Sequence, residues 1–121
     1  MSDETSQTPD GDDSGALDEA QHAIADARRR LAEVPADVVV TNHAMGLYEL
    51  AAIHLSASPP DLVSAALAID ALGALVEGLG DRLGPETPTL RDALGNIRVA
   101  FVQVKGAQTA AGAEAAGATD N

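Results

Sequence analysis

The chain has 121 residues, no Cys, no Trp, one Tyr, one Phe and a formal net charge of -12 at pH 7. The missing Cys excludes disulfides, a thiolate metal site and a Cys nucleophile, and the acid excess opposes attraction to phosphate backbones or anionic lipid. This length allows one domain, and the longest apolar run, Leu62 to Ile69, stops at Asp70, well short of the ~20 residues a membrane span needs.

Residues 1–15 carry Asp3, Glu4, Asp10, Asp12 and Asp13 against no base and have no aliphatic side chain beyond Met1. Such a segment buries too little apolar surface to offset its ordering entropy and is expected to be disordered. It also lacks the apolar stretch of a secretory signal, so a soluble cytoplasmic protein is expected. Ser14 or Gly15 can open a first helix, 16–34, with Asp18 and Glu19 at its anion-favouring end. Leu17, Ala20, Ile24, Ala27, Leu31 and Val34 form a narrow heptad stripe on it, Arg28, Arg29 and Arg30 lie near its C-terminal end, and Pro35 stops it. The stripe is narrow and two of its six residues are alanine, so this helix has to dock on the rest of the chain or on a partner.

Val38 to Val40 is a β-branched run that is either extended before a Thr41 or Asn42 cap, or the first turn after an Asp37 cap. A helix over 42–56 follows, with Leu47, Leu50, Ala51, His54 and Leu55 on one side. Ser58-Pro59-Pro60-Asp61 is a start signal for the next helix, 59–81, with Ser58 as cap and proline in the first turn. Along it Leu62, Ile69, Val76 and Leu83 recur every seven residues, with Ala65, Leu72 and Leu79 interleaved and a second stripe of small residues at Ala66, Gly73 and Gly80. Gly73 in mid-helix costs about 1 kcal/mol relative to Ala, which implies a packing reason such as a close backbone approach.

Gly84-Pro85 makes a turn, and Thr87-Pro88 repeats the cap-plus-proline signal for a last helix, 87–105, whose apolar positions are Leu90, Leu94, Ile97, Phe101 and Val104. Residues 106–121 are mostly Ala, Gly and Thr, with Glu114 and Asp120, and offer no large apolar side chain to dock, so this tail is expected to be disordered. The class is all-α: a small bundle of three core helices plus an N-terminal amphipathic helix, forming a domain over 16–105 between disordered termini.

Ile69-Asp70 followed by Leu72 and Leu75, then Leu83, Glu86, Leu90, Leu94, Ile97-Arg98 and Phe101-Val102, with His54-Leu55 ahead of them, resembles a small bacterial family known as domain of unknown function 1844. The resemblance covers about residues 42 to 104. It implies a short helical cytoplasmic protein without an established activity, and, through relatives encoded beside translation genes, a link to the ribosome.

Two opposite charges set into the apolar faces, Asp70 and Arg98, suggest a helix-to-helix clasp that locks the hairpin. Losing one partner of a buried pair typically costs ~3–5 kcal/mol, so Asp70→Ala is expected to destabilise more than Asp92→Ala. His22, His43 and His54 lack the i, i+3 or i+4 spacing of metal ligands, the glycines follow a helix rather than a strand and so make no phosphate loop, and no motif assembles a catalytic, cofactor or metal site. The expected function is a non-enzymatic interaction or adaptor protein, forming a homo-oligomer through Ala66, Gly73 and Gly80 or binding a protein partner. The alternative is a translation-associated factor that touches ribosome or RNA through Arg28, Arg29 and Arg30; otherwise no nucleic acid and no membrane partner is expected.

Overall fold

A computed structural model describes residues 2–120, and every regular element among them is helical: α1 Ser2–Glu33, α2 Ala36–Ser56, α3 Leu62–Leu79, a 3-10 segment Gly80–Glu86, and α4 Thr87–Asp120. The all-α expectation holds. The helices overrun the expected bounds, however, because α1 begins at Ser2 rather than 16 and α4 continues past 105 to Asp120. Helical hydrogen bonds are local, so a helix propagates past its packed segment without tertiary contact, most readily through alanine. The described side chains from Lys105 to Ala115 are all exposed, in keeping with the lack of anything bulky to dock. The chain divides into two compact units, one ending at Ala36 and the other beginning at Asp37.

In the first unit, the described residues of α1 from Ser14 onward are exposed apart from Asp26, and the exposed set includes Leu17, Ile24 and Leu31 of the heptad stripe. Pro35 ends α1 by denying the next turn an N–H donor.

The second unit holds the core. α2 starts at Ala36, six residues earlier than expected, so Val38 to Val40 are helical and Asp37 occupies the first turn. Burial overrides β-branched propensity here, since Val40 packs on the core and Val39 is half-buried. α3 begins at Leu62 and not at 59. Its cap is Asp61, whose carboxylate accepts from the Ser64 N–H at 3.0 Å and from the Ser64 hydroxyl at 2.8 Å. Ser58 precedes a cis peptide to Pro59 and is not the cap. Aspartate followed three residues later by a donor satisfies the orphan N–H groups directly, which the upstream serine does not. The Asp61 N–H in turn donates to the His54 carbonyl at 3.0 Å, closing the α2–α3 connection.

α3 and α4 form an antiparallel hairpin around the 3-10 segment. Gly80, at φ 53, is the C-cap of α3, with its N–H bonded to the Val76 carbonyl. Thr87 opens α4 as expected, but its hydroxyl points backwards: it lies 2.7 Å from the Gly84 carbonyl and 3.3 Å from that of Gly80, and the residue is buried. Thr41 of α2 donates to the Leu83 carbonyl at 3.2 Å, also buried. Two buried hydroxyls therefore satisfy the carbonyls of the turn. Around them Ala44, Ala51 and Leu55 of α2, Ala65, Ala68, Ile69, Leu72 and Val76 of α3, Leu83, and Leu90, Leu94 and Ile97 of α4 make one apolar cluster. Leu72, Leu83 and Leu90 are its largest fully buried side chains.

Candidate functional site

The ionic clasp exists, with a different acid. Arg98 of α4 donates to Glu77 of α3 through both terminal nitrogens, at 3.3 and 3.5 Å, and Asp70 forms none of the ion pairs found among the described residues. The reason lies at Gly73. A side chain there would begin 2.7 Å from Arg98 Nη2, so the glycine leaves a path along which the guanidinium crosses α3 to Glu77. Both partners are about half exposed (47% and 65%), which puts the pair at about 0–1 kcal/mol rather than at the value of a buried one. Asp70 is exposed, as is Asp92, so neither Ala replacement removes an ion pair and the expected difference between them disappears.

The small-residue stripe divides in the same way. Ala66 lines a groove, Gly73 is buried beneath Arg98, and Gly80 sits in the turn at positive φ. Its period has three local causes and presents no continuous flat face.

The groove beside the clasp holds about 190 Å³ and is lined by Ala66, Ile69, Asp70, Arg98, Phe101 and Val102. Large apolar residues of the same two helices are uncovered: on α3 Val63 is 84% exposed and Leu67 72%, and Val102, which lines the groove, is 67% exposed. α3 is thus apolar on both sides, with Ala65, Ile69, Leu72 and Val76 turned to the core and Val63, Leu67 and Ala74 turned outward. The stretch Leu62–Ala115 contains an 18-residue window long and apolar enough to cross a membrane by composition, which the short run ahead of Asp70 did not foreshadow, and 33% of that window is buried. The buried third is the packed centre of the helical unit.

A second depression, about 360 Å³, lies between the start of α2 and the turn, lined by Asp37, Val38, Thr41, Asn42, Met45, Leu83, Pro85 and Glu86. It offers two carboxylates with no His, Lys or Arg among its lining residues. Among the described residues no three His, Cys, Asp or Glu side chains cluster tightly enough to hold a metal ion.

His54 stands 3.9 Å from the Asp61 carboxylate through Nδ1. The Asp61 pKa lies below its ordinary 3.8, first because the Ser64 N–H bonds the carboxylate, then because of the Ser64 hydroxyl, with a smaller contribution from His54. A depressed carboxylate pKa contributes stability that is complete above the unfolded value and is lost as pH falls through the folded one. The stability gap between wild type and Asp61→Ala is therefore constant near neutrality and narrows below pH 3.8. Urea unfolding followed by circular dichroism across that range measures it, and a gap that persists unchanged into strong acid removes the ionic cap.

On α1, Arg29 pairs with Asp26 one turn earlier, while Arg28 and Arg30 are exposed and make none of the ion pairs found among the described residues. The triple-arginine run is thus a partly neutralised helix face with two available bases. The sequence does not mark Glu77 as the clasp acid, points to Ser58 rather than Asp61 as the α3 cap, and offers Thr41 and Thr87 as helix starts without showing that their hydroxyls hold the turn. The Asp61-to-Ser64 spacing was a visible signal for the cap, whereas nothing local marks Thr41 as the donor to a turn 42 residues away.

No protein-family model, curated protein or solved structure matches this chain.

Proposed function

We propose that this chain is a non-enzymatic helical interaction module of the cytoplasm, working through the outer face of the α3–α4 hairpin. One observation carries the proposal: α3 buries one apolar side in the core and leaves Val63 and Leu67 in solvent, while Val102 of the groove on the same hairpin is also exposed. Contiguous exposed apolar surface rimmed by charge is the mark of a protein contact. The non-enzymatic part is supported by the lining of the two depressions: the groove carries no hydroxyl, thiol or imidazole, and in the other the Thr41 hydroxyl is committed to the Leu83 carbonyl.

The test is a cross-linking pull-down with wild type and Leu67→Glu, a change at an exposed position that leaves the core intact. Specific cross-links that vanish in Leu67→Glu are expected. If they survive in Leu67→Glu and disappear in Arg28→Glu/Arg30→Glu, with ribosome co-sedimentation lost in parallel and released by salt, the contact belongs to the arginine face and the alternative of a translation-associated factor replaces this proposal.

A further inference from the structure

We infer that the occupant of the α3–α4 groove is a second copy of this chain, bound about a two-fold axis so that Asp70 of each copy meets Arg98 of the other. The inference rests on the outer hairpin face being an interaction surface and adds what binds there.

The groove dictates what its partner must look like. Its lining carries an acid with no ion pair among the described residues, Asp70 on α3, and a half-exposed guanidinium, Arg98 on α4, together with the apolar Ala66, Phe101 and Val102. A complementary surface needs apolar side chains, one base opposite Asp70 and one acid opposite Arg98. The same groove turned through a two-fold axis supplies all three, because in an isologous contact residue i meets j and j meets i. Arg98 has five N–H donors and gives only two to Glu77, so it can accept a second carboxylate without leaving its first partner.

The area is adequate. α3 has 18 residues, a face about 27 Å long. With α4 alongside it is about 18 Å broad, so each copy offers on the order of 500 Å², near the lower limit for a specific interface. Two chains of net charge -12 repel at long range. Salt at about 0.15 M screens that repulsion beyond about 8 Å while leaving close apolar contact intact. A weak dimer follows, and it covers Val63, Leu67 and Val102.

Sedimentation equilibrium of the full chain, from about 10 to 300 µM, reads the outcome. Wild type is expected to dimerise and Leu67→Glu to be monomeric with its helical circular dichroism unchanged. Asp70→Arg and Arg98→Asp, each alone, set like charges against each other and should weaken self-association at least tenfold. Mixed in equal amounts they restore both pairs between unlike chains, and the mixture should dimerise as wild type does. Glu77→Gln, which removes only the partner of Arg98 within the chain, should leave the dimer in place and separates that role from the contact between copies.

A wild type that stays monomeric throughout overturns the inference, as does a dimer indifferent to Leu67→Glu or a mixture no stronger than its components. Flotation of a monomeric wild type on phosphatidylcholine vesicles, abolished by Leu67→Glu, would assign the face to a lipid surface and overturn it equally. A monomer whose specific protein cross-links depend on Leu67 would overturn the second copy while leaving the interaction module standing.

Discussion

Leu72→Ala is expected to remove most of the stability of the helical unit, by about 3–5 kcal/mol. Leu72 is fully buried at the centre of α3, and its neighbours explain why the loss falls at the upper end. Ala44, Ala51, Ala65 and Ala68 supply a third of the buried apolar positions, so the helices already approach closely through methyl groups. Collapse into the void would have to move backbone, since these methyl groups have no other rotamer to adopt. A unit of this size has a total stability of roughly 4–13 kcal/mol, and a core with one half-buried Phe and no Trp belongs towards the lower end. Leu67→Ala, the same chemical change at a 72% exposed site one turn away, should cost within about 0.5 kcal/mol. Urea midpoints taken from the cooperative part of the helical signal compare the two variants. Equal midpoints would mean that α3 faces the core with its other side.

That pair of residues also shows how far the sequence reached. Leu72 was legible as core because it recurs with Ala65 and Leu79 on a heptad track, and on that track Ala65 and Leu72 are buried and Leu79 partly so. The outward apolar residues were not legible as exposed. Val63 and Leu67 lie on a helix whose outer side is interrupted only by Ser64, Asp70 and Glu77, and periodicity cannot tell a second buried side from an uncovered one. Helix bounds slipped for a related reason. Val38 to Val40 oppose a helix by propensity, and only the contact of Val40 with the core, a tertiary fact, reverses that.

The ionic clasp was half legible. A charge within an apolar stripe pointed correctly to Arg98 and correctly to α3 as the helix it reaches. The choice of acid depended on which α3 residue leaves room for a guanidinium, and the missing side chain of Gly73 decides it in favour of Glu77. Gly73 had been grouped with Ala66 and Gly80 by period alone. A period records equal spacing and carries no information about whether each small residue accommodates a side chain, a turn or another backbone.

The turn between α3 and α4 carries the second large effect. Gly84 sits at φ 82, ψ -152, a backbone region open to glycine and strained for any other residue. A side chain there would also collide with the Asp37 carboxylate from the start of α2. Gly84→Ala is therefore expected to cost about 1–3 kcal/mol for the backbone conformation alone, and more for displacing Asp37 and loosening the Thr87 hydroxyl from the Gly84 carbonyl. The two contributions separate in a double-mutant cycle. In an Asp37→Ala background the collision is gone and only the backbone cost should remain, so Gly84→Ala should destabilise that background less than it destabilises wild type. Gly80→Ala should cost only a backbone penalty, since its φ is 53 and the nearest atom a new side chain would meet is Arg91 Nη2 at an ordinary 3.8 Å. Gly46→Ala should act in the opposite direction: it lies in mid-α2 with nothing within 4 Å, and the exchange should stabilise by up to about 1 kcal/mol. Thermal unfolding of these variants orders them as Gly46→Ala above wild type, then Gly80→Ala, then Gly84→Ala. If Gly84→Ala instead costs the same in both backgrounds, Asp37 does not touch the turn and the second unit is not closed by α2 at that end.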